Sequence, residues 1–570
     1  MAIREARFRF LSWDLLFLSL LCLFFLAFLL YPLGYVFRGA FRLDHGPTIE
    51  LFRLLWRNAN NRQMVVNSLG IGLWVVVVTS VIALALALPM SRWRFRGKEA
   101  LSGLLLAPMI LPPFVGAIGV QQILSRYGSL NLLLTHCGLI DARHPIDWLG
   151  EHRFAGVVLL ESLHLYPILY LNVLAALANV DATLEEAAQN LGARGWRLFR
   201  DITFPLILPG YFAGAILVFI WAFTDLGTPL IFGYREVVPV KIFDLVGEAE
   251  TNPIGYAFVV LVLFITVVVF TVSRRIMRGR VQGKEARVAG APASRERAAG
   301  PARTAAIYAL MLGVTFVAII PHLGVLLKST AARWSISILP EEYTLRYYGL
   351  VFHHPVSLSS IRMSLLLSVL STAADLALGF LIAYYLLRKR IRGRGLLDVL
   401  ATLPLALPGV VLAFGYLTCF AGVPLLDPRV NPILLLVVAY GVRRLPFTVR
   451  AAVAGFEQTS ETYEEASANL GARPATTIRR IVIPLILPNL VAGGVLAFAF
   501  AMLEVSESLM LAMRREYYPI ANAIYTMVGR IDDGPFIASA MGMLGMALLL
   551  GCFLLATRFV GRRLGAIFRM

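Results

Sequence analysis

The chain has 570 residues, of which 58% are hydrophobic and 15% charged. Such a balance excludes a soluble globular domain and places the chain in the membrane class. Its 52 Lys and Arg against 34 Asp and Glu leave a basic excess, which nucleic acid, anionic lipid or membrane topology can each explain. Cys22, Cys137, Cys419 and Cys552 are scattered singly, which excludes a disulfide framework and a CxxC metal site.

In chain order, a basic lead, MAIREARFRF, precedes an apolar run from Leu15 to Phe37. This run is too long for a signal-peptide core and lacks a small-x-small cleavage site, so it reads as a first membrane helix. At roughly 20 apolar residues per crossing, twelve spans are expected: 14–37, 64–89, 101–124, 154–178, 207–231, 254–277, 304–327, 361–387, 396–420, 430–453, 485–511 and 536–558. The sixth and seventh are separated by residues 278–303, with seven basic and two acidic residues and no Leu, Ile or aromatic, the composition of a flexible linker. Arg92, Arg94, Arg96 and Lys98 follow the second span, and Arg388, Lys389, Arg390, Arg392 and Arg394 follow the eighth. Positive-inside topology then puts these loops, the linker and both termini in the cytoplasm. It accounts for most basic clusters, so no nucleic-acid partner is expected. Arg38, Arg42, Arg53, Arg57 and Arg62 run against it on the outer side.

An internal repeat organises the spans. LLLAPMILPPFVGAIG from Leu104 matches VLATLPLALPGVVLAFG from Val399, with Pro108 over Pro404 and Pro112 over Pro408, 296 positions apart. EEAAQNLGARGW from Glu185 matches EEASANLGARP from Glu464 at a spacing of 279, so the first half carries 17 extra residues in the loop between its third and fourth helices. Two homologous six-helix halves, 1–277 and 304–570, are expected around a pseudo-twofold axis along the membrane normal, with a translocation path on that axis.

The polar repeats occupy 181–205 and 460–484. Thr183-x-x-Glu186 and Thr462-x-x-Glu465 have capping-box spacing, Gly192 and Gly471 suit left-handed helix ends, and Pro474 suits the start of a second helix. Pro205 and Pro484 then lead into the next span. One such helix alone is an ordinary connector. Two copies that keep this frame while Arg197 and Thr476 differ suggest one docking shape presented twice.

The repeats resemble the EAA motif of permease subunits of binding-protein-dependent ABC importers: Glu186-Ala187-Ala188 with Gly192, and Glu465-Ala466-Ser467 with Gly471, the second departing at Ser467. The resemblance covers essentially the whole chain and implies an all-α integral membrane protein of the type I ABC importer permease fold. In that family the EAA loop is a coupling helix seated in a cytoplasmic ATPase, so two loops imply two ATPase subunits, with a periplasmic or lipid-anchored substrate-binding protein on the other face. ATP and Mg would be used by the partners, and this chain would bind no cofactor. GRVQGKE at Gly279 has three residues between its glycines where a phosphate loop needs four, and Glu285 replaces the Ser/Thr. No catalytic residue is expected. A secondary transporter also allows two parallel halves but leaves the paired polar helices unexplained, and a membrane enzyme finds no nucleophile with a base.

Ionisable groups at membrane depth are costly and mark paths or partners. Here they are Glu161, His164, Asp225, Asp375, Arg443, Arg444, Glu504 and Glu507. Asp225 and Glu504 each lie 20 residues after Pro205 and Pro484, and His164 is equivalent to Arg443. Five acids against two arginines favour a cation, and Asp225, Glu504, Glu161, His164, Arg443 and Glu507 are the path candidates. The alternative is that Arg443 and Arg444 pair with Glu504 and Glu507 to hold helices together. TDLGTPLIFG from Thr224, LEVSESLML from Leu503 and LPEEYTLRYY from Leu339 resemble segments of fused ferric-iron permeases, and hard cations choose oxygen ligands. Thiamine, polyamine and 2-aminoethylphosphonate permeases are near relatives. The outer loop with His136, Cys137, Asp141, His144, Asp147, Glu151 and His152 has no regular ligand spacing and reads as part of a binding-protein seat, not a metal site.

Overall fold

The computed structural model describes residues 16–43, 46–150, 153–248, 251–281, 296–389 and 393–560. The basic lead, Glu151, His152, Arg390, Arg392 and linker residues 282–295 lie outside the described residues. The chain is predominantly helical: α1 (Leu16–Phe41), α2 (Glu50–Arg57), α3 (Ala59–Arg92), α4 (Lys98–Met109), α5 (Pro113–Leu124), α6 (Phe154–Ala178), α7 (Ala182–Asn190), α8 (Gly195–Thr224), α9 (Gly227–Phe232), α10 (Ile254–Val281), α11 (Pro301–Ser329), α12 (Pro355–Arg388), α13 (Arg394–Ala406), α14 (Gly409–Cys419), α15 (Ile433–Glu457), α16 (Thr462–Asn469), α17 (Pro474–Met502), α18 (Ser506–Leu511) and α19 (Gly534–Val560).

Among the described residues nine helices are long and apolar enough to cross a membrane, or eleven if each of two bent pairs makes one crossing. The expected tenth span exists as the 25-residue α15, but Arg443, Arg444 and Arg450 keep it out of that count. In α3 the residues Val75, Thr79, Ala83 and Leu86 are buried while Val66, Leu73, Trp74 and Val81 are exposed. A helix with apolar side chains on its open face as well as its packed face suits hydrocarbon as its solvent, since all its backbone bonds are internal.

Proline sets where the spans break. The third and ninth expected spans are not straight: α4/α5 bends by 85° and α13/α14 by 103°. Pro112 and Pro408 exclude the helical region for the residue before them, and Leu111 (φ −87°, ψ 121°) and Leu407 (φ −91°, ψ 127°) are extended. The proline also lacks an N–H for the carbonyl four residues back, and a neighbouring helix fills that vacancy. His164 Nδ1 lies 3.0 Å from Pro108 O, and Tyr416 Oη donates to Phe28 O at 2.6 Å, four residues before Pro32. Straight helices through Pro205 and Pro484 would collide with a carbonyl one turn back. Both α8 and α17 instead widen into a π-turn, at Phe199–Thr203 and Ile478–Val482.

The fold divides into two compact units, each drawing on both sequence halves. One gathers residues 1–58, 242–263 and 363–518, the other 59–241, 264–362 and 519–570. Within the first, α1 packs on α14, where Gly415 faces Pro32 and Val36. Within the second, α11 packs on α5 at Gly119 and Gly324, where a Cβ on Gly324 would lie 2.9 Å from Gly119 Cα. Only hydrogen fits between these backbones.

The described end of the linker departs from expectation. Residues 297–298 pair in parallel with residues 93–94, Ala299 N donates to Arg94 O at 3.1 Å, and Lys98 Nζ lies 2.7 Å from Glu296 Oε1. Arg303 stacks over Trp93 at 4.0 Å, and Tyr308 Oη donates to Arg96 O at 2.6 Å. Backbone pairing needs no apolar side chain, which is why composition hides it.

Candidate functional site

The two EAA helices, α7 and α16, are built alike. Each ends in a Schellman turn: Ala193 N donates to Ala188 O at 2.9 Å and Ala472 N to Ser467 O at 3.1 Å. Gly192 (φ +88°) and Gly471 (φ +81°) take the expected left-handed conformation. The expected capping boxes do not form. Asp181 caps α7, accepting from Thr183 N at 2.9 Å, because an Asp at the N-cap outcompetes the Thr two residues inside. At α16 the N-cap is Glu461, whose side chain makes no capping hydrogen bond, and Ser460 Oγ accepts weakly from Thr462 N at 3.3 Å.

The inward faces differ by a matched exchange. Ala188 and Leu198 are buried in the first copy, while their equivalents Ser467 and Thr477 are buried in the second and hydrogen-bonded at 2.8 Å. The Ser467 departure is thus compensated within its own loop. On the outward face Glu186, Ala187, Glu465 and Ala466 are exposed, and Leu191 and Leu470, equivalent positions just before each glycine, are each 89% exposed. Pro205 and Pro484 lie in the first turn after each π-turn. Pro474 opens its helix as expected.

Asp225 and Glu504 sit at helix breaks, whereas Glu161 and Asp375 lie within α6 and α12. The expected fifth span ends at Thr224 and the eleventh at Met502, each followed by a six-residue helix, α9 or α18. Asp225 Oδ2 accepts from Thr228 N at 2.8 Å, and Glu504 Oε1 accepts from Ser506 N and Glu507 N at 3.1 and 3.3 Å. The equivalent acids therefore do equivalent work: each satisfies amides that open a short helix.

Their surroundings differ. Around Glu504, Arg443 Nη1 lies 3.2 Å from Glu504 Oε1 and 3.4 Å from Glu507 Oε1, Arg444 Nη1 lies 3.0 Å from Glu507 Oε2, and Arg444 Nη2 also pairs with Glu504. Arg444 further caps the end of α17 through Phe500 O at 3.0 Å. The group is balanced, two cations against two anions. Around Asp225, Thr228 Oγ1 donates to the buried Glu161 at 2.6 Å, and the two carboxyls are neighbours. Neither has an ion-pair partner among the described residues. The surplus of three acids is therefore Glu161, Asp225 and the buried Asp375, whose Oδ2 has no hydrogen-bond partner. Among the described residues no three His, Cys, Asp or Glu side chains converge as metal ligands; in the loop between the third and fourth expected spans His144 pairs with Asp141 at 3.3 Å.

Sequence reasoning missed one pair of contacts. Arg92 Nη2 lies 3.0 Å from Glu185 Oε1, and Arg388 Nε lies 2.7 Å from Glu464 Oε1. Arg92 and Arg388 were legible only as topology signals, yet their spacing of 296 matches that of the proline frame.

A duplicated set of apolar helices with exposed polar loops and broken spans defines a multi-pass membrane transport protein. The chain belongs to the family of binding-protein-dependent transport system inner membrane components, whose model matches residues 79–282 and again 375–566. It is 27% identical over 568 residues to the ferric transport system permease protein FbpB of Actinobacillus pleuropneumoniae, covering 95% of this chain and 78% of that one. It is 28% identical over 522 residues to the putative ferric transport system permease protein FbpB 1 of Haemophilus influenzae, covering 86% and 77%. The molybdenum transport system permease protein ModB of Escherichia coli K12 is 28% identical over 227 residues, 37% of this chain and 94% of that protein. The protein is thus a transport subunit of the inner membrane and an importer permease.

Proposed function

We propose that the chain forms the translocation path of an ATP-driven ferric-iron importer, with α7 and α16 as coupling helices for two separate cytoplasmic ATPase subunits. One observation carries the coupling reading: both helices end in the same left-handed turn and hold a leucine, Leu191 or Leu470, almost wholly in solvent. An apolar knob at two repeat-equivalent loops is the signature of a partner pocket, and burying each would contribute roughly 1.5–3 kcal/mol. Glu186 and Glu465, exposed beside the knobs, supply charge for the same partner, and Ala187, Ala188, Ala466 and Ser467 keep the helices slim. On this reading α15 completes a set of twelve crossings, its arginines neutralised by Glu504 and Glu507. The polar loops and both termini are cytoplasmic, and a binding protein delivers substrate at the opposite face. ATP and Mg act on the partners.

Closure of the ATPases drives transport only if the closed pair binds the outward-open permease better than the inward-open one. Supporting ferric iron are two relatives that span both halves and are named for it, and the oxygen-rich acids Asp225 and Glu161. The path candidates Asp225, Glu504, Glu161, His164, Arg443 and Glu507 follow from this. Similarity over one half alone, as with the molybdenum relative, does not fix a substrate.

The test is uptake of labelled ferric iron by iron-starved cells with and without the chain, against thiamine, putrescine and 2-aminoethylphosphonate as competitors. Loss of iron uptake on deletion is expected. Unchanged iron uptake with another compound lost would reassign the substrate.

A further inference from the structure

Each EAA helix carries two adjacent glutamates that face different ways. Glu186 and Glu465 are exposed, whereas Glu185 and Glu464 are turned inward and half-buried. Successive residues on a helix differ by about 100°, so one helix can offer one carboxylate to a partner and the other to its own fold. The inward glutamates meet the last residue of a long membrane helix: Glu185 meets Arg92 at the end of α3, and Glu464 meets Arg388 at the end of α12.

We propose that the Arg92–Glu185 and Arg388–Glu464 ion pairs are the links through which each coupling helix moves a membrane helix to which it is not directly joined in sequence. The proposal rests on the coupling role given above to α7 and α16. These four residues are then positioning residues for transport. In the chain, α7 is joined to α6 before it and α8 after it, and it has no covalent connection to α3. Glu185 supplies a non-covalent one through its ion pair with Arg92. It also accepts from Thr203 Oγ1, in the π-turn that opens α8, and Arg92 Nη2 donates to the same hydroxyl at 3.2 Å. Three helices therefore meet at one carboxylate.

In the second copy Val482 replaces Thr203, and Arg388 finds other anchors. Its Nη2 donates to Thr459 O at 2.7 Å and Phe456 O at 3.3 Å, its Nη1 lies 3.5 Å from Glu461, and its guanidinium lies 5.2 Å from the Phe456 ring centre. The supporting contacts have changed between the copies and the Arg–Glu pair has not. Arginine suits this place because its planar fork fixes direction as well as charge. A Lys ammonium at either position would hold the carboxylate without fixing the angle between the helices.

The test uses the full transporter reconstituted with its ATPase and binding protein. Charge reversals Arg92→Glu and Arg388→Glu are expected to lower uptake by about tenfold or more, the scale of a coupling free energy between sites. The ATPase is expected to remain bound while hydrolysis stops responding to binding protein. Swapped pairs, Arg92→Glu with Glu185→Arg and Arg388→Glu with Glu464→Arg, are expected to recover most of that loss. If a reversal prevents insertion, Glu185→Gln and Glu464→Gln, which keep the shape, carry the comparison and are expected to show the same uncoupling. Normal uptake in those variants, or no recovery in well-inserted swaps, would overturn the proposal. Failure of the unaltered chain to bind any ATPase would instead overturn the coupling reading on which it rests.

Discussion

A Cβ placed on Gly192 or Gly471 would meet no atom within 4 Å, so space does not require glycine there; the backbone does. Their φ values near +80° to +90° are strained for any residue with a side chain and most of all for a β-branched one. Gly192→Val with Gly471→Val is expected to abolish uptake while membrane insertion, read by immunoblot of the membrane fraction, stays normal. The acids at the helix breaks separate along another line. Glu504→Gln removes one of two anions facing the buried Arg444 and the half-buried Arg443, and breaking a buried pair costs about 3–5 kcal/mol. Its yield and thermal stability in detergent should fall clearly. Asp225→Asn keeps a side-chain acceptor for Thr228 N and strands no cation, so it should insert at wild-type level and lose uptake. Equal stability for the two variants would show that the unequal charge around them has no energetic consequence.

At the scale of elements, the two parts of the linker give opposite expectations. Deleting five residues within 282–295, whose composition is that of a flexible linker, should leave uptake unchanged. Deleting residues 296–300 should reduce it, since that removes the pairing with residues 93–94 and the Lys98–Glu296 contact. Asp427 closes the loop after α14: it accepts from Gly422 N at 2.7 Å and from Arg429 N and Nε at 3.0 Å. The hydrogen bonds from Arg429 are the main cause that holds its carboxyl down to about 2, against an ordinary 3.8. A depressed acid contributes stability above its unfolded value and loses it as pH falls through the folded one. Protease resistance of this loop should therefore hold down to about pH 4 and fall between there and pH 2, and Asp427→Asn should remove that step.

How far these elements could be read from sequence depended on what each one needs. Span α6 was legible to the residue as 154–178, because its apolar residues over 25 positions outweigh Glu161 and His164. The third and ninth spans read as straight although Pro112 and Pro408 were in view, since hydropathy counts side chains and a bend is decided by a missing N–H. The fifth and eleventh read too long for a related reason: Asp225 and Glu504 lie inside apolar text but act as helix caps. Gly192 and Gly471 were legible because a positive φ has few alternatives. The Arg92–Glu185 link was hidden, because a contact 93 residues apart in sequence has no local signature.

At the scale of the molecule, two sequence halves contribute to each compact unit. Helix α1 packs on α14 within one unit and α11 on α5 within the other, so each half lends its first helix to the unit built mainly from the other half. Separately expressed halves would each expose the face that the borrowed helix covers. Two equal coupling sites on one chain are tested most directly by native mass spectrometry of the complex purified through this chain, with Leu191→Asp and Leu470→Asp variants alongside. Two ATPase subunits per chain are predicted for the unaltered protein, with both lost from the double variant. A chain that purifies without an ATPase, or a double variant that keeps both, would contradict the two-site reading.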